Sequence, residues 1–325
     1  MKFQQVIVLG SGKIAVECID SLVGHTNMVI AVEQEEQPIS FVRVIGRKYG
    51  LEYHRITNKQ DLTEYLDRIE AETLVISANN NYLFPAKILR KKNFSVVNFH
   101  NSLLPDYPGR NAPTWVIFND EKTTGITWHL ADEGVDTGNI LSQKTIGITP
   151  TVTALELTKQ CMDAGAEAFR EMLPGILEGQ FSGNIQDVRQ RKNFHYAKDI
   201  PNNGYLEVSW SLDKVSAFLR SLNYGRAQLF PPSKVVLLGQ RYFIKKYRII
   251  AAITPEYHMD LCEKEIILQD GQRRIHIALQ RAQEDEVEEQ ENGEAEKVAA
   301  GNQTGDKFHG DGGGRLHTSW DTGFL

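Results

Sequence analysis

From residue 3 to residue 99, short apolar runs alternate with longer segments whose apolar residues recur at helical spacing. The runs at 3–9, 28–33 and 73–77 are rich in Val and Ile, which favours buried strands. Strands that alternate with helices in this way pair in parallel through right-handed crossovers. We therefore predict an α/β fold with a Rossmann-like, mostly parallel sheet.

The alternation stops near residues 194–204, a polar stretch with a proline and an Asn-Asn-Gly turn. Several strand-like runs follow, and Asp270-Gly271 between two of them is a strong hairpin signal. The sequence thus predicts three parts. They are an α/β domain over 1–200, a small β-rich, OB-like module over 201–282, and a tail over 283–325.

The net charge of −6 is concentrated in the tail. Residues 283–325 contain 11 acidic and 3 basic residues, a net of −8, which leaves +2 for the first 282 residues. The tail is also Gly-rich and nearly free of large apolar side chains, so burial does not offset its ordering entropy. We predict that it is disordered, and either a solvated extension or a regulatory, partner-binding segment.

Composition argues against membrane, disulfide and metal-site classes. The chain has no apolar run of about 18 residues, and its N-terminus lacks a signal-peptide cleavage site. Cys18, Cys161 and Cys262 are far apart in apolar surroundings, which predicts reduced, buried thiols. Neither CxxC nor HxxxH spacing occurs, so we predict no metal. We expect a cytoplasmic protein with no membrane partner.

The polar residues of segment 98–138 are the candidates for catalysis. Asn98 and His100 end one predicted strand (95–99), and Asp136 lies in a turn-rich stretch after another (125–130). Polar groups at strand ends lie at the rim of a sheet, where α/β proteins bind ligands. In acyl transfer, an amide and a charged imidazole can stabilise an oxyanion, and a carboxylate can orient the ring.

Each candidate also has a structural interpretation. Asn98 can cap a strand end, His100 can be a core histidine, and Asp136 can be an ordinary turn residue. Asn98 and His100 are two residues apart and share one face of an extended segment, which favours the catalytic interpretation. His129, on the predicted buried strand, is interpreted as structural.

Segment 98–138 contains three linked motifs: Asn98-x-His100 with Ser102-Leu103-Leu104-Pro105, then Pro108-Gly109-Arg110, and then Asp132-Glu133-Gly134-Val135-Asp136-Thr137-Gly138. Together they resemble the folate-dependent formyltransferases, which include enzymes acting on methionyl-tRNA, glycinamide ribonucleotide and nucleotide-linked amino sugars. The resemblance covers residues 1–200 well and 201–280 loosely.

The resemblance implies transfer of the formyl group of 10-formyltetrahydrofolate to a primary amine, without a covalent enzyme intermediate. Asn98 and protonated His100 would donate to the oxyanion, and Asp136 would pair with His100. It also implies that the folate lies against segment 77–83 and the 132–136 loop. The implied folate contacts are Ser77, Asn79, Asn81, Tyr82, Leu83, Leu103, Asp132, Gly134 and Val135.

Two features can contact the acceptor. The turn Gly10-Ser11-Gly12-Lys13 follows a strand and opens a helix, and partly satisfies a dinucleotide fingerprint. Its backbone N–H groups can receive a phosphate of the acceptor, or the turn can bind nothing. Arg110 is either a surface charge or a contact for an anionic acceptor.

The acceptor is predicted from charge. Relatives that act on tRNA carry a basic insertion after the second strand, but here segment 33–38 is short and acidic. Purine-pathway members stop before residue 201. We therefore favour a nucleotide-linked amino sugar, with methionyl-tRNA as the alternative. A formyltetrahydrofolate hydrolase and a silent folate-binding module also remain. The cations of the β-rich module, interpreted as a solvated face, are Lys245, Lys246, Arg248, Arg273 and Arg274.

Overall fold

The structure is a computed structural model, and it describes residues 2–34, 40–252 and 254–282. The predicted tail and residues 35–38 of the acidic segment lie outside the described residues. The described residues divide into two compact units. The first comprises 2–199 and 220–227, and the second comprises 200–219 and 228–282.

The first unit is built on a seven-stranded sheet. Its strands are β1 (Gln5–Gly10), β2 (Val29–Glu33), β3 (Glu52–Arg55), β4 (Thr73–Ala78), β5 (Phe94–His100), β6 (Thr123–Leu130) and β7 (Ile140–Gly147). They lie in the order β3-β2-β1-β4-β5-β6-β7. Strands β1 to β5 are parallel, and β6 and β7 add antiparallel pairings at one side. The predicted mostly parallel sheet is confirmed.

Helices connect these strands and cover the sheet. They are α1 (Gly12–Val23), α2 (Phe41–Tyr49), α3 (Lys59–Asp67), α4 (Ala86–Leu89), α5 (Ala112–Phe118) and α6 (Ala154–Leu177), with a 3-10 turn at Val188–Gln190. A capping box between Thr153 and Glu156 starts α6. Helix α5 was not among the predicted helices. Six of its seven residues are buried, so it lacks the periodicity of an amphipathic helix.

Successive side chains of β5 and β6 point to opposite faces of the sheet, one packed against α6 and the other carrying the candidate catalytic residues. Phe99 and Trp128 face α6, with their ring centroids 5.1 Å apart, and Trp128 Nε1 donates to the Gly165 carbonyl at 2.9 Å. A Cβ on Gly165 would lie 2.3 Å from the Phe99 ring, so this helix packs closely on the sheet. Asn98 and His129 therefore point to the opposite face.

The second unit is built on a six-stranded sheet of order β11-β12-β13-β10-β9-β8, which confirms the predicted β-rich module. Asp270 closes the predicted hairpin, since its Oδ1 accepts from the backbone N–H groups of Gln272 and Arg273, both at 2.8 Å. The strands are β8 (Tyr205–Leu206), β9 (Lys234–Leu237), β10 (Gln240–Ala251), β11 (His258–Leu261), β12 (Glu265–Gln269) and β13 (Arg273–Arg281), with a 3-10 turn at Pro201–Gly204 and helix α7 at Leu212–Ser221.

The three cysteines are free thiols, but they are not all buried. Cys18 and Cys161 lie in the core, and burial raises the pKa of Cys161 to about 12. The prediction of a buried Cys262 is wrong. This residue follows β11, an edge strand whose four residues are all exposed. Among the described residues, no helix is long and apolar enough to cross a membrane.

Candidate active site

A polar row crosses three neighbouring strands of the first unit. Ser77 on β4 lies in register with Asn98 on β5, which lies opposite His129 on β6. Ser77 Oγ donates to Asn98 Oδ1 at 2.5 Å, and Asn98 Nδ2 donates to His129 Nε2 at 3.1 Å. These contacts fix the orientation of the Asn98 amide.

Asp136 lies between two imidazoles. Its Oδ2 is 3.6 Å from Nδ1 of His100, and its Oδ1 is 3.5 Å from Nε2 of His129. The Gly109 N–H donates to Oδ2 at 2.8 Å. The structure therefore joins the three predicted catalytic residues, Asn98, His100 and Asp136, in one connected set, and it adds His129 as the residue that links Asn98 to Asp136.

The remaining ring nitrogens face backbone carbonyls. His100 Nε2 donates to the Tyr107 carbonyl at 2.8 Å, so both of its nitrogens face oxygen acceptors. A charged imidazolium, with two N–H groups, satisfies both. His129 Nδ1 donates to the Leu130 carbonyl at 2.8 Å. The Nε2 of a neutral His129 is thus the acceptor for Asn98, whereas a charged His129 can donate to Asp136.

The Asp136 carboxyl is held in its charged form. Burial alone raises its pKa, but the attraction of His100, the hydrogen bond and charge of His129, and the Gly109 N–H outweigh burial. The net result is a pKa well below the ordinary value of 3.8. A carboxylate fixed between two imidazoles can orient both rings and can take part in the relay of a proton from a substrate.

The Pro108-Gly109-Arg110 motif forms part of the wall around Asp136. Gly109 has φ +90°, and a Cβ there would lie 2.3 Å from the His195 carbonyl oxygen. The Arg110 N–H donates to the same oxygen at 2.9 Å. Glycine is therefore required for the close approach that directs the Gly109 N–H at Asp136.

The loop that carries Asp136 is folded by its own side chains. Asp132 Oδ1 accepts from Thr137 Oγ1 at 2.5 Å and from the Gly134 N–H at 3.1 Å. A Cβ on Gly134 would lie 2.1 Å from Thr137 Oγ1, and one on Gly138 would lie 1.8 Å from a carbonyl oxygen of β6. The predicted folate contacts on this loop, Asp132, Gly134 and Val135, are exposed.

The predicted folate contacts of segment 77–83 fall into two groups. The Ser77 hydroxyl is buried and also accepts from Asn80 Nδ2 at 2.6 Å. Tyr82 is buried with its hydroxyl 2.7 Å from Thr63, and burial raises its pKa to about 12. Both side chains therefore make internal contacts. Leu83 is 54% exposed and available to a ligand.

The other predicted contacts surround the ends of β1, β4 and β5. Arg110 Nη2 donates to Asn81 Oδ1. Ser11 Oγ donates to the Asn79 carbonyl at 3.1 Å, at the crevice between β1 and β4 where the strand order reverses. Leu103 packs on β6, where a Cβ at Gly125 would come within 2.6 Å of it.

The backbone of the Gly10–Lys13 turn requires glycine at both Gly10 and Gly12. A Cβ on Gly10 would lie 1.8 Å from the Ala78 carbonyl oxygen, and Gly12 has φ +66°. Lys13 forms an ion pair with Asp163 on α6. The turn therefore follows from packing alone, and phosphate binding there stays a prediction.

His129 is the site residue that the sequence interpretation missed. The sequence signal for His129 was the alternation in Ile126-Thr127-Trp128-His129-Leu130, where the apolar residues share one face and Thr127 and His129 share the other.

Among the described residues, no cluster of three or more His, Cys, Asp and Glu side chains is arranged to hold a metal ion.

Comparison with known families identifies the family to which this chain belongs. The sequence model of the formyl transferase family matches residues 6–173, more than half of the chain. The chain belongs to the formyl transferase family. It is therefore a formyl transfer enzyme, as the three motifs predicted.

Two named relatives differ in their substrates. The GDP-perosamine N-formyltransferase of Brucella melitensis is 26% identical over 254 residues, which cover 77% of this chain and 95% of that protein. The methionyl-tRNA formyltransferase of Clostridioides difficile is 28% identical over 232 residues, which cover 67% of this chain and 74% of that protein.

A solved structure has the same fold. The N-formyltransferase of Helicobacter canadensis, crystallised with folinic acid and dTDP-3-aminofucose, matches with a TM-score of 0.65 and 16% identity. The match covers 85% of this chain and 99% of that one. At this identity the similarity shows the fold alone.

Proposed function

We propose that this chain transfers the formyl group of 10-formyltetrahydrofolate to the primary amine of a nucleotide-linked amino sugar. The observation that carries the proposal is the connected set of Asn98, His129, Asp136 and His100 at the carboxyl edge of the sheet. Donors and a fixed carboxylate together are what acyl transfer to an amine requires.

In this proposal, Asn98 and His100 donate to the formyl oxygen as it gains negative charge. The amine nitrogen forms a bond to the formyl carbon, and the bond from that carbon to N10 breaks. His100 Nε2 donates to the Tyr107 carbonyl and Asn98 donates to His129, so substrate binding exchanges one contact of each for the formyl oxygen. Asp136 stabilises the charged ring and relays the proton of the amine, directly or through water, to N10 as the bond from N10 to the formyl carbon breaks.

The donor is proposed to lie against the exposed side of the 132–136 loop and Leu83. Val135 and Leu83 are the exposed apolar side chains there, and the loop backbone supplies polar groups for the edge of a pterin. The Helicobacter protein was crystallised with a folate derivative, which supports a folate donor for this chain. The buried side chains of Ser77 and Tyr82 support this surface without touching the donor. Ser77 fixes Asn98, and Tyr82 fixes segment 80–84.

The acceptor is proposed from charge and from the relatives. The Brucella relative, whose name specifies a GDP-linked sugar, matches over 95% of its length. Segment 33–38 contains no cation that could neutralise a phosphate, and two of its three glutamates follow the buried Glu33, which disfavours tRNA at that position. Arg110 lies beside Asn81 at the crevice and is the proposed contact for an anionic group of the carrier.

The test is formyl transfer with 10-formyltetrahydrofolate and a set of nucleotide-linked amino sugars, with His100→Ala as the inactive control. Amine-dependent release of tetrahydrofolate and a formylated sugar supports the proposal. Release without an amine identifies a hydrolase, and binding without release identifies a silent folate-binding module.

The second candidate is methionyl-tRNA formyltransferase, which the Clostridioides difficile relative favours. Charged initiator tRNA is therefore included as an acceptor. Its formylation, with binding that weakens steeply as salt concentration rises, would replace the amino sugar by tRNA.

A further inference from the structure

Gln186 is buried where its apolar neighbours are exposed. It lies beyond residue 173, where the match to the family model ends. Gln186 is 7% exposed, whereas Ile185 is 84% exposed and Val188 is 45% exposed. Apolar side chains are ordinarily the buried ones, so the burial of Gln186 indicates that its amide makes contacts that are needed at this position.

The backbone brings Gln186 to the loop that carries Asp136. Asn184 and Ile140, at the start of β7, exchange two backbone hydrogen bonds at 2.8 and 2.9 Å. Gln186 Nε2 then donates to the Gly138 carbonyl at 2.6 Å and to the Asp136 carbonyl at 3.2 Å. The amide thus binds the two carbonyls on either side of Thr137.

The backbone at Asp136 has an uncommon conformation. Asp136 has φ +54°, in the left-handed region, which aspartate tolerates better than most residues but which still costs energy. Arg191, five residues after Gln186, donates to the Val135 carbonyl at 2.5 Å. Two side chains of one segment therefore hold three carbonyls around Asp136.

The acceptor side of the Gln186 amide has no partner. Its Oε1 is buried and makes no hydrogen bond to the residues that the structure describes. A buried acceptor without a donor costs stability. An apolar side chain of the same length at position 186 would avoid this loss of stability. The presence of Gln there indicates that the two hydrogen bonds donated by its amide are needed.

We propose that Gln186 is a positioning residue, which holds the Asp136 carboxylate between His100 and His129. The role rests on the proposed formyl transfer, because Asp136 is the residue through which Gln186 acts. The contacts of Asp136 to the two rings are 3.6 and 3.5 Å, so a small displacement of the loop breaks them. Misplacement of a catalytic group by about 1 Å can lower the rate about 100-fold.

The first experiment compares kcat and KM of Gln186→Met with those of the wild type and of Ile185→Ala, the exposed neighbour. We expect kcat to fall about 10- to 100-fold in Gln186→Met, with little change in KM and no change in Ile185→Ala. If Gln186→Met does not fold, Gln186→Ala is measured instead, because it removes both N–H donors without placing a large side chain or a buried charge against the two carbonyls.

A double-mutant cycle separates positioning from general stabilisation. In the Asp136→Asn background, Gln186→Met is expected to cause no further loss of kcat, because its effect runs through the Asp136 carboxylate. An equal loss in both backgrounds overturns the proposal, as does a wild-type kcat in Gln186→Met.

An NMR titration of the Asp136 carboxyl carbon tests the same role without turnover. We expect the pKa of Asp136 to rise towards 3.8 in Gln186→Met and to stay low in Ile185→Ala. An unchanged Asp136 titration in Gln186→Met overturns the positioning role. If the wild type formylates no amine while this shift occurs, the proposed function fails and the positioning role stands.

Discussion

The side-chain amide of Asn98 lies 3.1 Å from Nε2 of His129, the residue directly opposite it on the neighbouring strand. His129 Nε2 is also 3.5 Å from Asp136 Oδ1. His129 is thus the physical link between the amide and the carboxylate, and it lies on the buried strand rather than on the motif loops. Its ring connects two groups that the sequence places 38 residues apart.

We expect His129→Phe to lower kcat for formyl transfer by about 5- to 150-fold. The estimate assumes that loss of the contacts to Asn98 and Asp136 costs about 1–3 kcal/mol in the transition state. His129→Gln should recover part of the rate, because its amide can accept from Asn98 and donate to Asp136. Steady-state kinetics of the two variants measure this. Wild-type turnover in His129→Phe would leave the residue with a structural role only.

His100→Ala and Asp136→Ala should each lower kcat by about 10²–10⁴-fold while the fold is kept. His100 contributes a donor to the developing oxyanion and Asp136 stabilises its charge. Kinetics together with circular dichroism check both parts of the prediction. His25→Ala, at an exposed position after α1, is the matched control and should keep full activity. A variant of His100 or Asp136 with normal turnover has no place in the mechanism.

The architecture was predictable because hydrophobic periodicity is a local property. Strands β1, β2 and β4 and helix α1 have apolar patterns that differ in period, and the structure contains each of them. Helix α5 and strand β11 were not predicted, for opposite reasons. The helix is buried on nearly all sides and the edge strand is exposed throughout, so neither has a pattern of alternating burial.

The site was predictable only in part, because its contacts depend on register and on distant segments. Asn98, His100 and Asp136 are polar residues next to apolar strands, which a sequence displays directly. The partnership of Asn98 with His129 depends on how β5 and β6 are aligned. The hydrogen bonds of Gln186 join residues about 50 positions apart, and no local pattern reports such a contact.

The stability of the protein should depend on Asp136 as the pH falls. The pKa of its carboxyl is depressed in the folded state, so its charge stabilises the fold at pH values above its unfolded pKa of 3.8. That stabilisation is lost as the pH falls from 3.8 through the folded-state pKa. The free energy of unfolding, measured with urea, should therefore decrease less in Asp136→Asn than in the wild type when the pH is lowered from near neutral to below 3.8. Equal decreases would contradict the depressed pKa.

Gly165→Ala should destabilise the first unit, because the new Cβ would lie 2.3 Å from the Phe99 ring. Overpacking of a core typically costs about 1–3 kcal/mol, which exceeds the gain of up to ~1 kcal/mol in helix propensity. Gly175→Ala in the same helix is the control, since its Cβ has no neighbour closer than 3.6 Å and gains the propensity alone. Urea unfolding of both variants should give free-energy changes of opposite sign. A stable Gly165→Ala variant would mean that α6 can move away from β5 at little cost. The opposite face of β5, which carries Asn98, would then not depend on this packing for its position.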